Sequence, residues 1–384
     1  VVAENTTLGA DNGIGVALAL AALEEPGLIH PPLEVLLTIN EESGMDGARG
    51  LASGTLRGSR LINLDTEEWG HFYLGCAGGV DVEVHHDCVL EDLPEGYSLL
   101  RFEVSGLRGG HSGIDIHLGR GNAIKLLAEA LRDLSAHTEV RLIEMKGGSA
   151  RNAIPREAYA LCALPAAAAA RIGEWVRHRH EAWQKRFAGA DDGVAFACMH
   201  ADVAARRAVA AAERERTLAF LDIVSNGVAQ HSMDFPGVTD TSSNLGVLSL
   251  EQGNFRATFK VRSLHDGRAG ELADLLVSRA LNYGLHAWKD GVYPGWTPQP
   301  DSALLASCQE VYAREFGQPA SLQVIHAGLE CGLLAASHPQ LDMISFGPDI
   351  RGAHAPGERV EIASVGRCWQ LLKAVLQHLA RPAA

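Results

Sequence analysis

Four positions in this chain carry side chains that could do hydrolytic chemistry: Asp11, the pair Glu41-Glu42, Asp65 and His354. Each falls just past the carboxyl end of a predicted β-strand, where open α/β sheets bind their ligands. Carboxylates and an imidazole gathered there form the ligand set of a zinc-type hydrolytic site, with one carboxylate left over as a base. Asp11 sits in the turn GADNGIG, where an Asx turn or helix cap is as natural a reading as a metal ligand. Glu41 and Glu42 repel one another beside Gly44. If the backbone is still extended there, they point opposite ways, so one could bind metal while the other faces substrate as a general base. The other reading is an exposed acidic loop. Asp65 ends the apolar run LINL, where an acid is costly unless it is paired or coordinated. Glu67 and Glu68 lie farther into the loop and read as solvated. His354, in GPDIRGAHAPGERV, is the one histidine beyond a strand end in the same predicted domain.

A second group comprises His111 in RGGHSG, Asn152 in ARNAIP and Arg262 in FKVRS. Gly109, Gly110 and Gly113 allow close backbone approach around His111. Together the three would suit a substrate carboxylate or a developing oxyanion. Singly, each reads as structural.

The elements that must position these groups follow from pattern. A Gly-rich turn feeds a helix over about 14–25, stopped by Pro26-Gly27. The apolar runs Leu33 to Ile39 and SRLINL have the length of buried strands. This alternation gives an α/β fold with a mostly parallel sheet. From about Val80 the pattern changes. YSLLRFEVSGL alternates like a half-exposed strand, and GNAIKLLAEALRDLSAH is an amphipathic helix. A hairpin turns at Gln252-Gly253-Asn254, and the stretch from about Val203 to Ile223 reads as helix. The sum is an α+β, β-α-β-β-α-β-like domain over 80–294, inserted into a first domain made of 1–79 and 295–384.

Composition fits that division, since 384 residues exceed what one hydrophobic core normally holds. A net charge of −14 argues against nucleic acid as a partner. No apolar run is long enough to span a bilayer. Seven scattered cysteines without a CxxC pair read as reduced thiols, which points to the cytoplasm.

Long motifs then add a resemblance that runs essentially the whole length. TTLGADNGIG, EVLLTINEESGMDGA, LINLDTEE, LRGGHSGIDIHLGRGNA, GGSARNAIPREA, IHAGLECGL and SFGPDIRGAHAPGERV are the strongest segments. In them the chain resembles the dinuclear zinc metallopeptidases related to aminoacylase and glutamate carboxypeptidase. Within these it is similar to the aminoacyl-histidine dipeptidase branch, which cleaves Xaa-His dipeptides such as carnosine. The resemblance implies a catalytic domain and an inserted lid or dimerisation domain in a homodimer. It implies that Asp11 bridges two Zn²⁺ ions, with a strained peptide bond at Asp11-Asn12. Glu42 and His354 would complete one ion's ligands and Asp65 would bind the other. Co²⁺ or Mn²⁺ could substitute. Glu41 would be the general base that takes a proton from the attacking water and passes it to the leaving amine. His111 would reach across the dimer interface to the oxyanion. Asn152 and Arg262 would hold the dipeptide, with Glu330 and the GPDIRG loop lining its pocket.

The family also carries a His-x-Asp motif upstream, and none precedes Asp11. The chain therefore reads as a truncated or processed piece, in which one metal or none is an alternative to two. A related amidohydrolase acting on N-acyl amino acids or tripeptides, and a non-catalytic binding protein lacking the full metal site, are the competing expectations.

Overall fold

A computed structural model describes residues 1–299, 301–354 and 356–381. The chain divides into two units, Val1–Ala77 with Pro294–Ala384, and Gly78–Tyr293.

The first unit is built on a four-stranded sheet in the order Arg60–Asn63, Asp342–Ser345, His71–Cys76, Ser321–Ile325. Arg60–Asn63 runs parallel to Asp342–Ser345, in register Arg60 with Asp342 through Asn63 with Ser345. Ser321–Ile325 runs parallel to His71–Cys76, and only the central pair, Ser345 with Tyr73, is antiparallel. The helices Ala10–Glu24, Ala303–Phe316 and Ile362–Leu379 bury Leu18, Leu304, Val311, Leu371 and Val375 against Phe72, Ile344 and Phe346 of the sheet region. Each such fully buried side chain contributes about 1.5–3 kcal/mol. Gly15 lets the first helix approach closely, because a Cβ there would stand 2.7 Å from the Leu64 carbonyl oxygen.

Two sequence expectations need correction. The run from Leu33 to Ile39 is not a strand. Strand geometry needs a neighbouring backbone to take up N–H and C=O groups, and no described strand pairs with it. Leu33 and Leu36 are partly buried against the core, but Leu37 and Ile39 are left outside, 52% and 70% exposed. In the second unit, Arg207–Val209 lies inside the stretch read as helix but pairs antiparallel with Leu90–Asp92. Ala208 and Val209 are both buried there, so tertiary pairing overrides the helix-forming composition. The helix itself spans Ala211–Ile223.

The second unit is organised on a nine-stranded antiparallel sheet. Its longest pair, Thr239–Glu251 and Asn254–Ser263, is a hairpin closed by Gln252 and Gly253. Both have positive φ, 49° and 82°, as a two-residue turn of the right twist requires. The helix Ala123–His137 shows why its sequence folds as it does. The Asn122 side chain caps it by accepting from the Ile124 and Lys125 amides at 3.1 and 3.3 Å. Ile124, Leu127, Leu131 and Leu134, at helical spacing, are all buried.

Candidate functional site

Two parallel neighbours, Arg60–Asn63 and Asp342–Ser345, end on the same side of the first sheet, and the chain beyond them carries Asp65 and His354. Asp65 is held by its amide, which donates to Asn63 Oδ1 at 2.9 Å. Asn63 Oδ1 also accepts from Ser345 Oγ at 2.7 Å, so the two strand ends share one anchor. His354 stands in the loop with a left-handed φ of 63°.

Asp11 and the glutamate pair arrive differently, since neither follows a described strand. Asp11 lies at the start of the helix Ala10–Glu24, where Asp11 and Asn12 depart from helical dihedrals and the bond between them is cis. The Glu358 carboxylate organises this turn. It accepts from the amides of Leu8, Gly9, Ala10 and Asp11 at 2.6, 2.8, 2.8 and 3.1 Å. Burial raises its pKa, but these donors outweigh burial and hold it below the ordinary carboxylate range. Glu41 and Glu42 open the short helix Glu41–Gly44 after Asn40, which has a left-handed φ of 55°. They are therefore on a helical turn, not on the extended chain whose alternation would set them on opposite sides.

The structure draws these elements together. His354 Nε2 is 2.8 Å from Asp11 Oδ2 and 2.8 Å from Glu42 Oε1. One ligand atom from each of the three lies within 4.8 Å of the others. The Asp65 side chain stands against Asp11, near enough for the two carboxyls to share a proton. Glu41, Glu42, Asp65 and Glu330 line one cavity of about 900 Å³ with Asp11.

Charge is the site's dominant property. Among the described residues no lysine or arginine ion-pairs with Asp11, Glu41, Glu42, Asp65 or Glu330. Burial, then repulsion from Glu42, Glu330 and Asp11, pushes Glu41 up to about 7. Asp65 is raised by burial and by Asp11, Glu41 and Glu330. For Glu42, burial outweighs the lowering by His354. His354 is raised, because its bond to Asp11 and the charges of Glu42 and Glu67 outweigh the opposing effect of its burial. Glu67, expected to be solvated, is half-buried and raised by burial and by Asp11.

An excess of carboxylate with one imidazole fits a divalent cation. The donor types are those of zinc, and a cation would remove the repulsion that now favours protonation. Among the described residues no other histidine joins the group of Asp11, Glu42 and His354. His30 is exposed and its Nδ1 lies 2.7 Å from its neighbour's carbonyl oxygen.

In the second unit the structure brings together His111, Asn152 and Arg262. His111 bridges to Ala153 in a two-stranded ladder, and the Ser112 amide donates to the Asn152 carbonyl at 2.8 Å. The Asn152 side chain is exposed on its turn. The Gly113 and Ile114 amides donate toward His111 Nδ1 at 3.3 and 3.1 Å. On the other side of the ring, Nε2 is 3.4 Å from Arg262 Nη2. Burial first, and then the Arg262 charge, lowers the His111 pKa to about 4, so the ring is neutral near pH 7. Arg262 is buried and donates from Nη1 to the Tyr293 hydroxyl at 2.6 Å.

Another donor cluster, His86, Cys88 and Glu213, also lies in this unit. There Arg216 stands 3.0 Å from Glu213 Oε2 and 3.4 Å from His86 Nε2, so a side-chain cation already fills the place.

Sequence reasoning missed Glu358 and Glu67. The signal for Glu358 was an acid after Gly357 in APGERV, four residues past His354 and easily taken for a surface charge.

Comparison with known proteins gives one family model and close relatives. Residues 102–183 match the peptidase dimerisation domain. Cytosol non-specific dipeptidase of Escherichia coli (strain K12) is 40% identical over 379 residues, 99% of this chain and 78% of that protein. The crystal structure of aminoacylhistidine dipeptidase from Vibrio alginolyticus aligns with a TM-score of 0.90 and 40% identity, covering 100% of this chain and 78% of that one.

Proposed function

Because the chain belongs to the M20 metallopeptidases, as a dipeptidase of that family, we propose that it hydrolyses Xaa-His dipeptides such as carnosine with Glu41 as the general base. The family works with a divalent metal. On this reading Asp11, Glu42 and His354 hold a Zn²⁺ ion, and Asp65 contributes to a second one beside Asp11. The observation that carries the reading is a cation-seeking cluster with a carboxylate of pKa about 7 next to it. Metal bound there supplies Lewis-acid polarisation of the scissile carbonyl and eases deprotonation of the attacking water.

The chain's own residues do the rest. Glu41 accepts a proton from the water on its carboxylate and returns it to the leaving amine. His111, from the second subunit of a homodimer, donates its Nε2 proton to the oxyanion. Its neutral state near pH 7 supports that role. Arg262, with the Asn152 side chain, binds the substrate's terminal carboxylate. The match to the peptidase dimerisation domain supports the homodimer. Similarity to the cytosol non-specific dipeptidase of Escherichia coli favours a cytoplasmic setting and a second reading, cleavage of dipeptides more broadly than the Xaa-His class.

A substrate panel tests the proposal. Zinc-loaded protein is expected to cleave carnosine and other Xaa-His dipeptides. Cleavage of N-acyl amino acids or tripeptides without dipeptides would overturn it.

A further inference from the structure

Glu330 opens the helix Glu330–Ser337 and is only 8% exposed. One of its oxygens, Oε2, accepts from Thr38 Oγ1 at 2.8 Å. The other, Oε1, is buried without a hydrogen-bond partner. The side chain lines the same cavity as Asp11, Glu41, Glu42 and Asp65, and its charge contributes to the repulsion at Glu41 and Asp65. A buried carboxylate oxygen left open in this way is costly until a donor meets it.

The kind of donor follows from position. In a dipeptide the free amine sits on the residue that also carries the scissile carbonyl, so a substrate placed for attack beside Glu41 brings its ammonium within a few ångströms. An N-acyl amino acid brings an uncharged acyl group to the same place. Thr38 fixes one oxygen and leaves the other without a donor on a side chain that lines the cavity, which is the arrangement a cationic donor needs. We propose that Glu330 Oε1 binds the free terminal ammonium of the substrate and thereby selects dipeptides over N-acyl amino acids. This rests on the dipeptidase reading for where the scissile bond lies.

The experiment compares two non-hydrolysable ketomethylene isosteres of one Xaa-His dipeptide, identical except that one lacks the terminal amine. Their dissociation constants are measured by calorimetry on the metal-loaded protein, wild type and Glu330→Gln. Wild type should prefer the amine-bearing isostere, and the substitution should reduce that preference about 10- to 100-fold, as for a hydrogen bond to a charged group. Thr38→Val keeps the carboxylate and frees it to turn, so the preference should fall by a smaller factor in the same direction. Metal content of both variants should match wild type. Equal affinity of wild type for the two isosteres would overturn the subsite, whatever the turnover. Loss of metal on Glu330→Gln, or an equal fall for both isosteres, would make Glu330 a ligand or a structural group instead. Absence of dipeptide turnover by wild type would fail the dipeptidase reading separately, since the binding ratio is read without catalysis.

Discussion

Replacing Glu358 by Gln keeps the shape of a side chain that accepts four backbone amides but removes its charge. Oε2 receives Leu8 and Gly9, and Oε1 receives Ala10 and Asp11, so each oxygen serves two donors. Whichever way the new carboxamide turns, its NH₂ faces one of those pairs. Two hydrogen bonds to a charged acceptor are lost, at about 1.5–3 kcal/mol each. The two that remain weaken because the acceptor is neutral. The expected cost is on the order of 3–6 kcal/mol, a large part of a typical total stability of about 5–15 kcal/mol. The loss falls on the turn that aims Asp11, so metal affinity should fall together with stability. Thermal unfolding with and without Zn²⁺, and calorimetric zinc titration, measure both quantities. A variant that melts with wild type and binds zinc with unchanged affinity would refute the role assigned to this carboxylate. The pH dependence has a definite sign. A carboxyl held below its ordinary value contributes stability above about pH 4.5 and loses it as pH falls through the lowered value.

Other outcomes follow from the same geometry. Glu41→Gln should lower kcat about 10²- to 10⁴-fold with zinc content unchanged by elemental analysis; a fall in zinc instead would make Glu41 a ligand. His354→Ala should weaken zinc binding by more than about 100-fold, beyond the usual effect of an outer-sphere change, and an unchanged zinc titration would remove His354 from the site. Glu41, at about 7, and the raised Asp65 both hold protons near neutrality in the metal-free protein. Zinc binding near pH 7 should therefore release protons, seen as a binding heat that varies with the buffer's ionisation enthalpy. By the same linkage Glu41 holds more proton in the folded metal-free protein than in the unfolded chain between pH 4.5 and about 7, while His111, lowered to about 4, holds less. The stability of wild type relative to Glu41→Gln should therefore fall as pH rises through that interval, and a rise would contradict the shift assigned to Glu41.

The parts of the site legible in the sequence were those whose position depends on local pattern. An apolar run stopping at an acid placed Asp65, and a strand followed by a Gly-rich loop placed His354. The helix Ala123–His137 and the turn at Gln252-Gly253 were equally plain, because spacing and turn residues decide them. What was not legible depends on partners far along the chain. Leu33 to Ile39 has the composition of a strand but no described neighbour to pair with it, and Glu41 and Glu42 consequently begin a helical turn. Glu358 acts on backbone amides more than 340 positions away, from Leu8 at a separation of 350 to Asp11 at 347. A carboxylate whose partners are main-chain amides leaves no side-chain motif to read. Glu67 is similar, since only the folded loop brings it into the field of Asp11 and His354.

The central claim is that the cluster of Asp11, Glu42 and His354 holds a divalent metal on which dipeptide hydrolysis depends. Its most direct test is the rate of carnosine hydrolysis by chelator-stripped protein as Zn²⁺ is titrated back. The expected result is no turnover in the stripped protein and a rate that rises with bound zinc and then saturates. Full turnover without metal, or none with zinc bound, would contradict it.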